Sequence, residues 1–444
     1  MPTGRRHAQI VPSLVAVACL TTGCFSFDPL THAASERLDT FDFYWQRLAD
    51  DYPLFGDQQL DWNELRRSYR AAVPFAQQPH EFYHLLTGML SELGDLHVSL
   101  SIPTDRFAAD GVATTSLLDV DGFALMPIEG RLHVVSWPTQ EAPHVPEGVP
   151  VDASYPEVWR VQGFPVVLSL VGNLLQGPPS TPIELQLRWR NGSVTRHMMR
   201  LPAAGTPRRR HAFAHLHDET MRWQTRATEP FAWIEVATFD DDAVIKQVDT
   251  AVTAANTSDG LVLDLRRNLG GRWLIAQYLV ERFLREPVEL VLVPAHPTSS
   301  WLGLIQYELF VRTAWQPRPP TFNKPLVVLT SALTGSSAEH AARILQRYAG
   351  ASVIGERTAG AEAAIQTEVG PDGSTLRFGS TRVVDRTGVG LQQEGVVPDI
   401  AVRLTLEDLE RLGAKDAAAD WEQRLLKAAR GVVYARRGAA GAPR

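Results

Sequence analysis

Residues 325–339, PLVVLTSALTGSSAE, place a serine where acyl-transfer chemistry needs one. The apolar run predicts a buried strand, and Ser336 follows it at the first turn of a helix predicted over 338–348. At such a corner the hydroxyl is exposed, and the N–H groups of the helix start point outward beside it. The alternative is a capping box, in which Ser336 and Glu339 satisfy backbone N–H groups. Ser336 is therefore a candidate nucleophile or a helix cap.

A second segment carries paired glycines at a similar corner. Gly270 and Gly271 lie between a strand predicted over 260–265 and a helix predicted over 272–284. Glycine permits unusual dihedral angles and close approach of the backbone to a reacting group, although a tight turn alone would also explain the pair. Asp264 and Arg266, at the end of the strand, are interpreted as structural.

The elements around these two corners alternate between strand and helix. Strands are predicted at 231–239, 288–293, 326–330 and 351–355, with a helix at 243–255 and a closing amphipathic helix at 406–429. This order is typical of a mostly parallel sheet with helices on its faces, so the fold class is α/β.

The regions before this core differ in pattern. Residues 35–93 show helical periodicity, and 112–205 consist of short strands and turns. The segment 161–166, VQGFPV, resembles the corresponding turn of a PDZ domain. That resemblance implies a sheet edge able to bind an extended peptide, and the alternative is a β-rich insert without a ligand. We divide the chain into a signal segment at 1–24, a helical subdomain at 25–108, a PDZ-like domain at 112–205, a linker at 206–225, a catalytic core at 226–432 and a disordered tail at 433–444.

The N-terminus has the pattern of an export signal. Two arginines precede the apolar run 10–20, which is too short to span a membrane as a mature helix. The residues before Cys24 resemble a bacterial lipobox, although Thr21 stands where an aliphatic residue is usual. We therefore expect a lipid anchor on Cys24, with the protein held in the cell envelope, facing the periplasm and most simply at the outer membrane. A plain secreted protein is the alternative.

Charge and composition narrow the choice of partners. The net charge of −7 gives no general attraction to nucleic acid. His211, His215 and His217 lie close together, but no cysteine or spaced carboxylate pair completes a recognisable metal site. We expect no metal and no cofactor.

Five segments of the chain, in this order, resemble the S41 serine peptidases, a family that includes the C-terminal processing proteases, the tricorn core and the interphotoreceptor retinoid-binding repeats. They are 231–236, 261–271, the Ser336 segment, 355–360 and 394–400. The resemblance is firm over 226–405. It implies a crotonase/ClpP-like βαβ catalytic core, preceded by an N-terminal helical subdomain and a PDZ-like domain.

The resemblance also implies catalytic roles. Ser336 would be the nucleophile, and the N–H groups of Gly270 and Ser337 would form the oxyanion hole. In the C-terminal processing branch the base is a lysine 25 residues after the serine, and here that position is Ala361. The tricorn-like branch uses a histidine, which matches His97.

The match to the tricorn-like branch implies a residue that orients the histidine, and at one position the chain differs from that branch. Glu394 matches the glutamate that would orient His97, directly or through a relay. Leu96 stands where the tricorn core has a serine before its histidine. A hydroxyl relay would have to come from Ser99 or from water. An unperturbed imidazole titrates near pH 6.5, which suits proton transfer at neutral pH.

The sequence therefore predicts a cell-envelope serine endopeptidase acting on peptides or unfolded proteins through an acyl-enzyme. Two alternatives remain. One is a catalytically inactive peptide-binding or scaffolding lipoprotein on the same fold, and the other is a hydrolase of small esters.

Overall fold

A computed structural model describes residues 32–52, 60–103, 115–116, 120, 123–138, 145–146, 155–203, 220–225, 229–294, 312–361, 363–385 and 395–440. Cys24, Glu394 and the three neighbouring histidines lie outside these residues. None of the helices within them combines the length and the apolar character needed to cross a lipid bilayer.

The helices are α1 His32–Asp51, α2 Trp62–Ala72, α3 Pro79–Ser91, α4 Val171–Leu174, α5 Ala243–Ala255, α6 Trp273–Val280, α7 Ser337–Tyr348, α8 Leu406–Leu412 and α9 Ala414–Ala440. The strands are β1 Ser99–Ser101, β2 Thr115–Ser116, β3 Ala124–Ile128, β4 Arg131–Ser136, β5 Glu157–Val161, β6 Phe164–Pro165, β7 Gln176–Gly177, β8 Pro182–Arg188, β9 Val194–Arg200, β10 Met221–Thr225, β11 Phe231–Val236, β12 Gly260–Asp264, β13 Val288–Pro294, β14 Arg312–Trp315, β15 Leu326–Thr330, β16 Ser352–Gly355, β17 Ala363–Val369, β18 Thr375–Asp385 and β19 Ile400–Ala401.

The core sheet has the strand order β10-β11-β12-β15-β16-β19, and every pair except β10 with β11 is parallel. Its four central strands, β11, β12, β15 and β16, are buried on both faces, which is why they read as continuous apolar runs. Leu261 and Leu263 pack into the cluster that contains α5, α6 and α7. Val262, which points the other way, packs into the cluster that contains α9. The predicted α/β class is confirmed.

Two further units lie before the core in the chain. The helices α1 to α3 pack around stacked rings of Trp45 and Trp62, whose indole N–H groups donate to each other's backbone carbonyls at 3.1 and 3.2 Å. The PDZ-like unit is an antiparallel sheet in the order β3-β4-β5-β8-β9, with β6 paired to β5.

A further sheet ties the N-terminal part to the core. In the order β1-β18-β13-β14, with β17 on β18, it brings the short strand β1 against the long strand β18. The register places Ser99 opposite Arg377. The segment that carries His97, immediately before β1, is thereby anchored beside the catalytic core.

The structure corrects two of the predicted boundaries. The closing helix ends at Leu412, where Gly413 has a φ of +77°, and a second helix then continues to Ala440. The prediction of a disordered tail is therefore wrong over 433–440. Residues 221–225, assigned to a linker, form an edge strand of the core sheet.

Candidate functional site

Ser336 lies at a sharp corner between the end of β15 and the start of α7. Its φ of +51° and ψ of −128° are unusual for a residue with a side chain. Non-glycine residues hold such conformations only where their surroundings enforce them, and these positions cluster at functional sites. A strained turn of this kind, at the start of α7, can direct the serine hydroxyl away from the helix.

The carboxylate of Glu339 enforces this corner. Glu339 is 0% exposed and accepts hydrogen bonds from the N–H groups of Ser336 (3.1 Å), Gly360 (2.7 Å) and Ala361 (2.8 Å). It also accepts a short hydrogen bond from the Thr358 hydroxyl. The Ser336 N–H donates in addition to the Ala361 carbonyl at 2.8 Å. Glu339 therefore acts as more than a helix cap, because it ties the serine to the loop 358–361.

The first of the two glycines packs directly against the serine. Gly270 and Gly271 have φ values of +107° and +129°. A Cβ added to Gly270 would lie 2.6 Å from the Ser336 Cβ and 3.1 Å from the Ser337 nitrogen. A side chain at this position would collide with the nucleophile, so a turn requirement alone does not explain the glycine.

The backbone N–H groups of this turn differ in their hydrogen bonding. The Gly270 N–H donates to Asn268 Oδ1 at 2.8 Å, and Asn268 is itself buried. Within the part of the chain that the structure describes, the N–H groups of Gly271 and Ser337 have no hydrogen-bond acceptor. The Gly270 N–H, which the sequence analysis assigned to the oxyanion hole, is thus already engaged by a side chain in this structure.

His97 lies in the short turn between α3 and β1 and is almost fully buried. Its backbone N–H donates to Asp95 Oδ1 at 2.8 Å, and its Nε2 is buried without a hydrogen-bond partner among the described residues. Burial lowers the pKa of His97 to about 4, with Asp95 opposing that shift and His340 adding to it. The ordinary value near 6.5 expected from the sequence therefore does not apply.

A cleft of about 840 Å³ brings the histidine to the serine loop. It is lined by His97, by Thr358 to Ala361, and on its other side by residues 157–159 and 165–168 of the PDZ-like unit. Since the Ala361 carbonyl accepts the Ser336 N–H, the nucleophile corner lies directly behind one wall of this cleft. Between the described atoms of Ser336 and His97 there is no side-chain hydrogen bond.

His340 and the Asp264–Arg266 pair complete the surroundings. His340, one turn after Ser336 on α7, is buried with its ring 4.8 Å from that of Trp273, and burial lowers its pKa to about 3. Arg266 donates to both carboxylate oxygens of Asp264 at 2.9 and 2.6 Å.

Sequence reasoning missed two features of this site. Glu339 was considered only as a cap, although its fixed spacing from Ser336 was the available signal. For His340 no signal exists, because a single histidine on an amphipathic helix does not reveal which way it faces. Leu96 lines the cleft beside His97. Because its side chain is a hydrocarbon, this position supplies no hydroxyl to a relay. Among the described residues, no three His, Cys, Asp or Glu side chains come together as a metal site would need.

Two segments match known protein families. Residues 230–402 match the model of peptidase family S41, and residues 33–91 match that of the tricorn protease C1 domain. These matches confirm the resemblance drawn from the sequence motifs.

Solved structures share the fold. Mature CPAF complexed with lactacystin is 13% identical, with a TM-score of 0.58, over 89% of this chain and 100% of that chain. The photosystem II D1 C-terminal processing protease is 21% identical, with a TM-score of 0.47, over 86% of this chain and 98% of that chain. The tricorn protease is 16% identical, with a TM-score of 0.46, over 89% of this chain and 37% of that chain.

Proposed function

We propose that this chain is a serine endopeptidase of the S41 type in which Ser336 is the nucleophile and His97 the general base. The observation that carries the proposal is the Ser336 corner. Ser336 and Glu339 do form the capping box, but a cap alone requires neither the positive φ of the serine nor the close packing of Gly270 against it.

The reaction follows from the groups present. His97 takes the proton of Ser336 Oγ as that oxygen attacks the scissile carbonyl, and the resulting oxyanion accepts a hydrogen bond from the N–H group of Ser337. The imidazolium then gives its proton to the leaving amine, and an acyl-enzyme remains. Water, deprotonated by His97, hydrolyses the acyl-enzyme and restores the serine. Each preorganised donor contributes about 3–4 kcal/mol to transition-state stabilisation.

A depressed pKa keeps His97 neutral over a wide pH range, and it also weakens the imidazole as a base. Because burial lowers the pKa to about 4, the imidazole is neutral and ready to accept a proton at any pH from about 5 upward. The protonated form must then be stabilised during the reaction, since burial disfavours it. We assign that task to Glu394, which lies outside the described residues and matches the orienting glutamate of the tricorn-like branch.

We assign peptides and unfolded proteins as substrates. The cleft that holds His97 runs between the core and the PDZ-like sheet, so an extended chain bound in it would pass His97. We place the protein in the cell envelope, anchored through Cys24, on the basis of its first 24 residues.

One observation favours a second candidate function. Without a hydrogen bond between Ser336 and His97, the base is not engaged with the nucleophile in this conformation. A catalytically inactive peptide-binding protein on the same fold would require no such contact. In apo enzymes, however, catalytic hydrogen bonds often form only when substrate binds.

Hydrolysis of unfolded casein by residues 25–444 tests the proposal. We expect cleavage by the wild type and its loss in Ser336→Ala and His97→Gln. His84→Gln is the matched control, because His84 is equally buried but its Nε2 is bound to the Gln176 carbonyl, at 3.0 Å. Cleavage surviving in Ser336→Ala would reject the proposed nucleophile. Turnover of small esters without casein cleavage would support the ester hydrolase, and no turnover by any form would support the binding protein.

Lipid attachment needs a separate test. Full-length protein expressed in a bacterium supplied with radiolabelled palmitate should be labelled and found in the membrane fraction. Cys24→Ser should be unlabelled. Equal labelling of both forms would reject Cys24 as the anchor, and an unlabelled wild type in the soluble fraction would favour plain secretion.

A further inference from the structure

Two leucines on either side of the glycine turn are strongly exposed. Leu269, immediately before Gly270, is 58% exposed, and Leu274, in the first turn of α6, is 73% exposed. Single exposed apolar side chains are common and need no explanation. These two, however, flank the turn that packs against the candidate nucleophile.

Leu269 is the one that lies beside the catalytic atoms. Its carbonyl oxygen would be 3.2 Å from a Cβ on Gly335, the residue before the nucleophile. The next residue, Gly270, approaches Ser336 closely enough that an added Cβ would be 2.6 Å from the serine Cβ. The backbone of Leu269 is therefore in contact with the serine corner, while its side chain projects into solvent.

The surrounding backbone holds Leu269 in place. The Asn268 N–H donates to the Leu265 carbonyl at 3.0 Å, and the Asn268 carbonyl accepts from the Gly335 N–H at 3.0 Å. The Asn268 side chain accepts from the Gly270 N–H and donates to the Val236 carbonyl, at 2.8 and 3.1 Å. With both neighbours fixed, an exposed side chain between them is presented to a ligand at little entropic cost.

We propose that Leu269 determines substrate specificity by contacting an apolar side chain on the residue that supplies the scissile carbonyl, an inference that rests on the proposed function. A substrate carbonyl that approaches Ser336 and the Ser337 N–H meets the glycine turn, because the backbone of Leu269 and Gly270 contacts the serine corner. We place the substrate's own side chain against Leu269 at this point. An apolar substrate side chain buries itself and Leu269 together, whereas a charged one loses water there without gaining a partner.

The test compares cleavage-site profiles of full-length protein on denatured casein, with the cleaved bonds identified by mass spectrometry. The profile of the wild type should favour apolar residues on the carbonyl side of the cleaved bond. Leu269→Ala should reduce the preference for apolar over charged residues about tenfold. Leu269→Glu should shift cleavage toward lysine and arginine at that position.

Leu274→Ala and Leu274→Glu serve as matched controls, because Leu274 is equally apolar and exposed but lies on the helix rather than on the backbone that contacts Gly335. They should leave the profile unchanged. An active Leu269→Glu enzyme with the wild-type profile would overturn the inference and leave the peptidase intact. A shift on the amine side of the bond, or an equal shift in the Leu274 variants, would also overturn it. Absence of cleavage by the wild type would instead overturn the proposed function.

Discussion

The two halves of the candidate catalytic site are built in opposite ways. The Ser336 corner is held by a dense set of backbone and carboxylate hydrogen bonds, with Glu339 alone accepting from the four groups named above. His97 has one contact of this kind, from its backbone N–H to Asp95, and its buried Nε2 has no partner among the described residues. The proposed nucleophile is fixed by the core, while the proposed base lies on a segment outside it.

The difference shows where the site is adjustable. The segment after His97 is held by the PDZ-like unit, because Ser169 Oγ donates to the Val98 carbonyl at 2.7 Å and Asn173 Nδ2 to the Leu100 carbonyl at 2.8 Å. On its other side β1 pairs with β18 over three residues. The position of the base therefore depends on the docking of two units, and that of the serine depends on one.

Replacing the nucleophile should have the largest effect. Ser336→Ala should lower kcat by at least about 10³-fold, since it removes the attacking oxygen. Ser337→Ala keeps the backbone N–H of the proposed oxyanion hole and should retain most activity. Steady-state casein hydrolysis measures both. A larger loss in Ser337→Ala than in Ser336→Ala would reverse the assignment of the two serines.

A side chain on the glycine turn should have the next largest effect. Gly270→Ala introduces a Cβ against Ser336 at a φ of +107° and should lower kcat about 100-fold. Gly431→Ala is the control, because Gly431 lies in α9 with open space around its Cα. It should leave kcat unchanged and stabilise the fold by about 0.5–1 kcal/mol. Wild-type kcat in Gly270→Ala would contradict the packing described here.

The buried carboxylate should matter for both stability and rate. Glu339→Gln turns one acceptor atom into a donor facing N–H groups, and we expect it to lower the free energy of unfolding by about 2–3 kcal/mol. Urea unfolding measures the decrease in the free energy of unfolding. We also expect kcat to fall, because the Ser336 corner is held less firmly. Glu407→Gln, on an exposed position of α8, should change neither quantity. Equal stabilities of the two variants would show that Glu339 is only a cap.

The pH dependence of kcat/KM should show whether the proposed base has the lowered pKa of His97 or the pKa of an ordinary histidine. Because the pKa of His97 is lowered to about 4, kcat/KM should remain level from pH 8 to about pH 5 and fall with a midpoint near 4. A midpoint near 6.5 would contradict the burial of the base.

Protein stability should follow the same shift. The unfolded chain binds a proton at His97 below about pH 6.5, and the folded chain does so only near 4. The free energy of unfolding should therefore decrease by about 1.4 kcal/mol per pH unit from this residue as the pH falls between those values. Near-UV circular dichroism at each pH distinguishes unfolding from loss of the base.

The smallest effect on kcat should come from removing the hydrogen bond between the PDZ-like unit and the segment after His97. Ser169→Ala removes the hydrogen bond to the Val98 carbonyl and should lower kcat a few-fold through the position of His97, without changing the labelling of Ser336 by an active-site reagent at saturation. Ser180→Ala, in a turn of the same unit, should have no effect on kcat. Equal kcat values for Ser169→Ala and the wild type would show that this contact does not position the base.

The sequence was sufficient for the core and insufficient for the contacts between units. The strand over 326–330 and the helix over 243–255 were predicted with the observed bounds, because each is encoded by local periodicity. The end of α9 was not predicted correctly. The helix continues through 433–440 because Val433 packs against the core sheet, and local periodicity does not encode that contact. The lowered pKa of His97 could not be predicted either, because burial arises from segments distant in the chain.

Reaction with a fluorophosphonate probe tests the central claim most directly, since such reagents phosphonylate an activated serine and need its base. Full-length wild type, Ser336→Ala, His97→Gln and His84→Gln would be labelled in parallel, with the modified residue identified by mass spectrometry. We predict modification of Ser336 in the wild type and in His84→Gln, at least about 100-fold slower labelling in His97→Gln, and none in Ser336→Ala. Modification of another serine, or undiminished labelling in His97→Gln, would contradict the account.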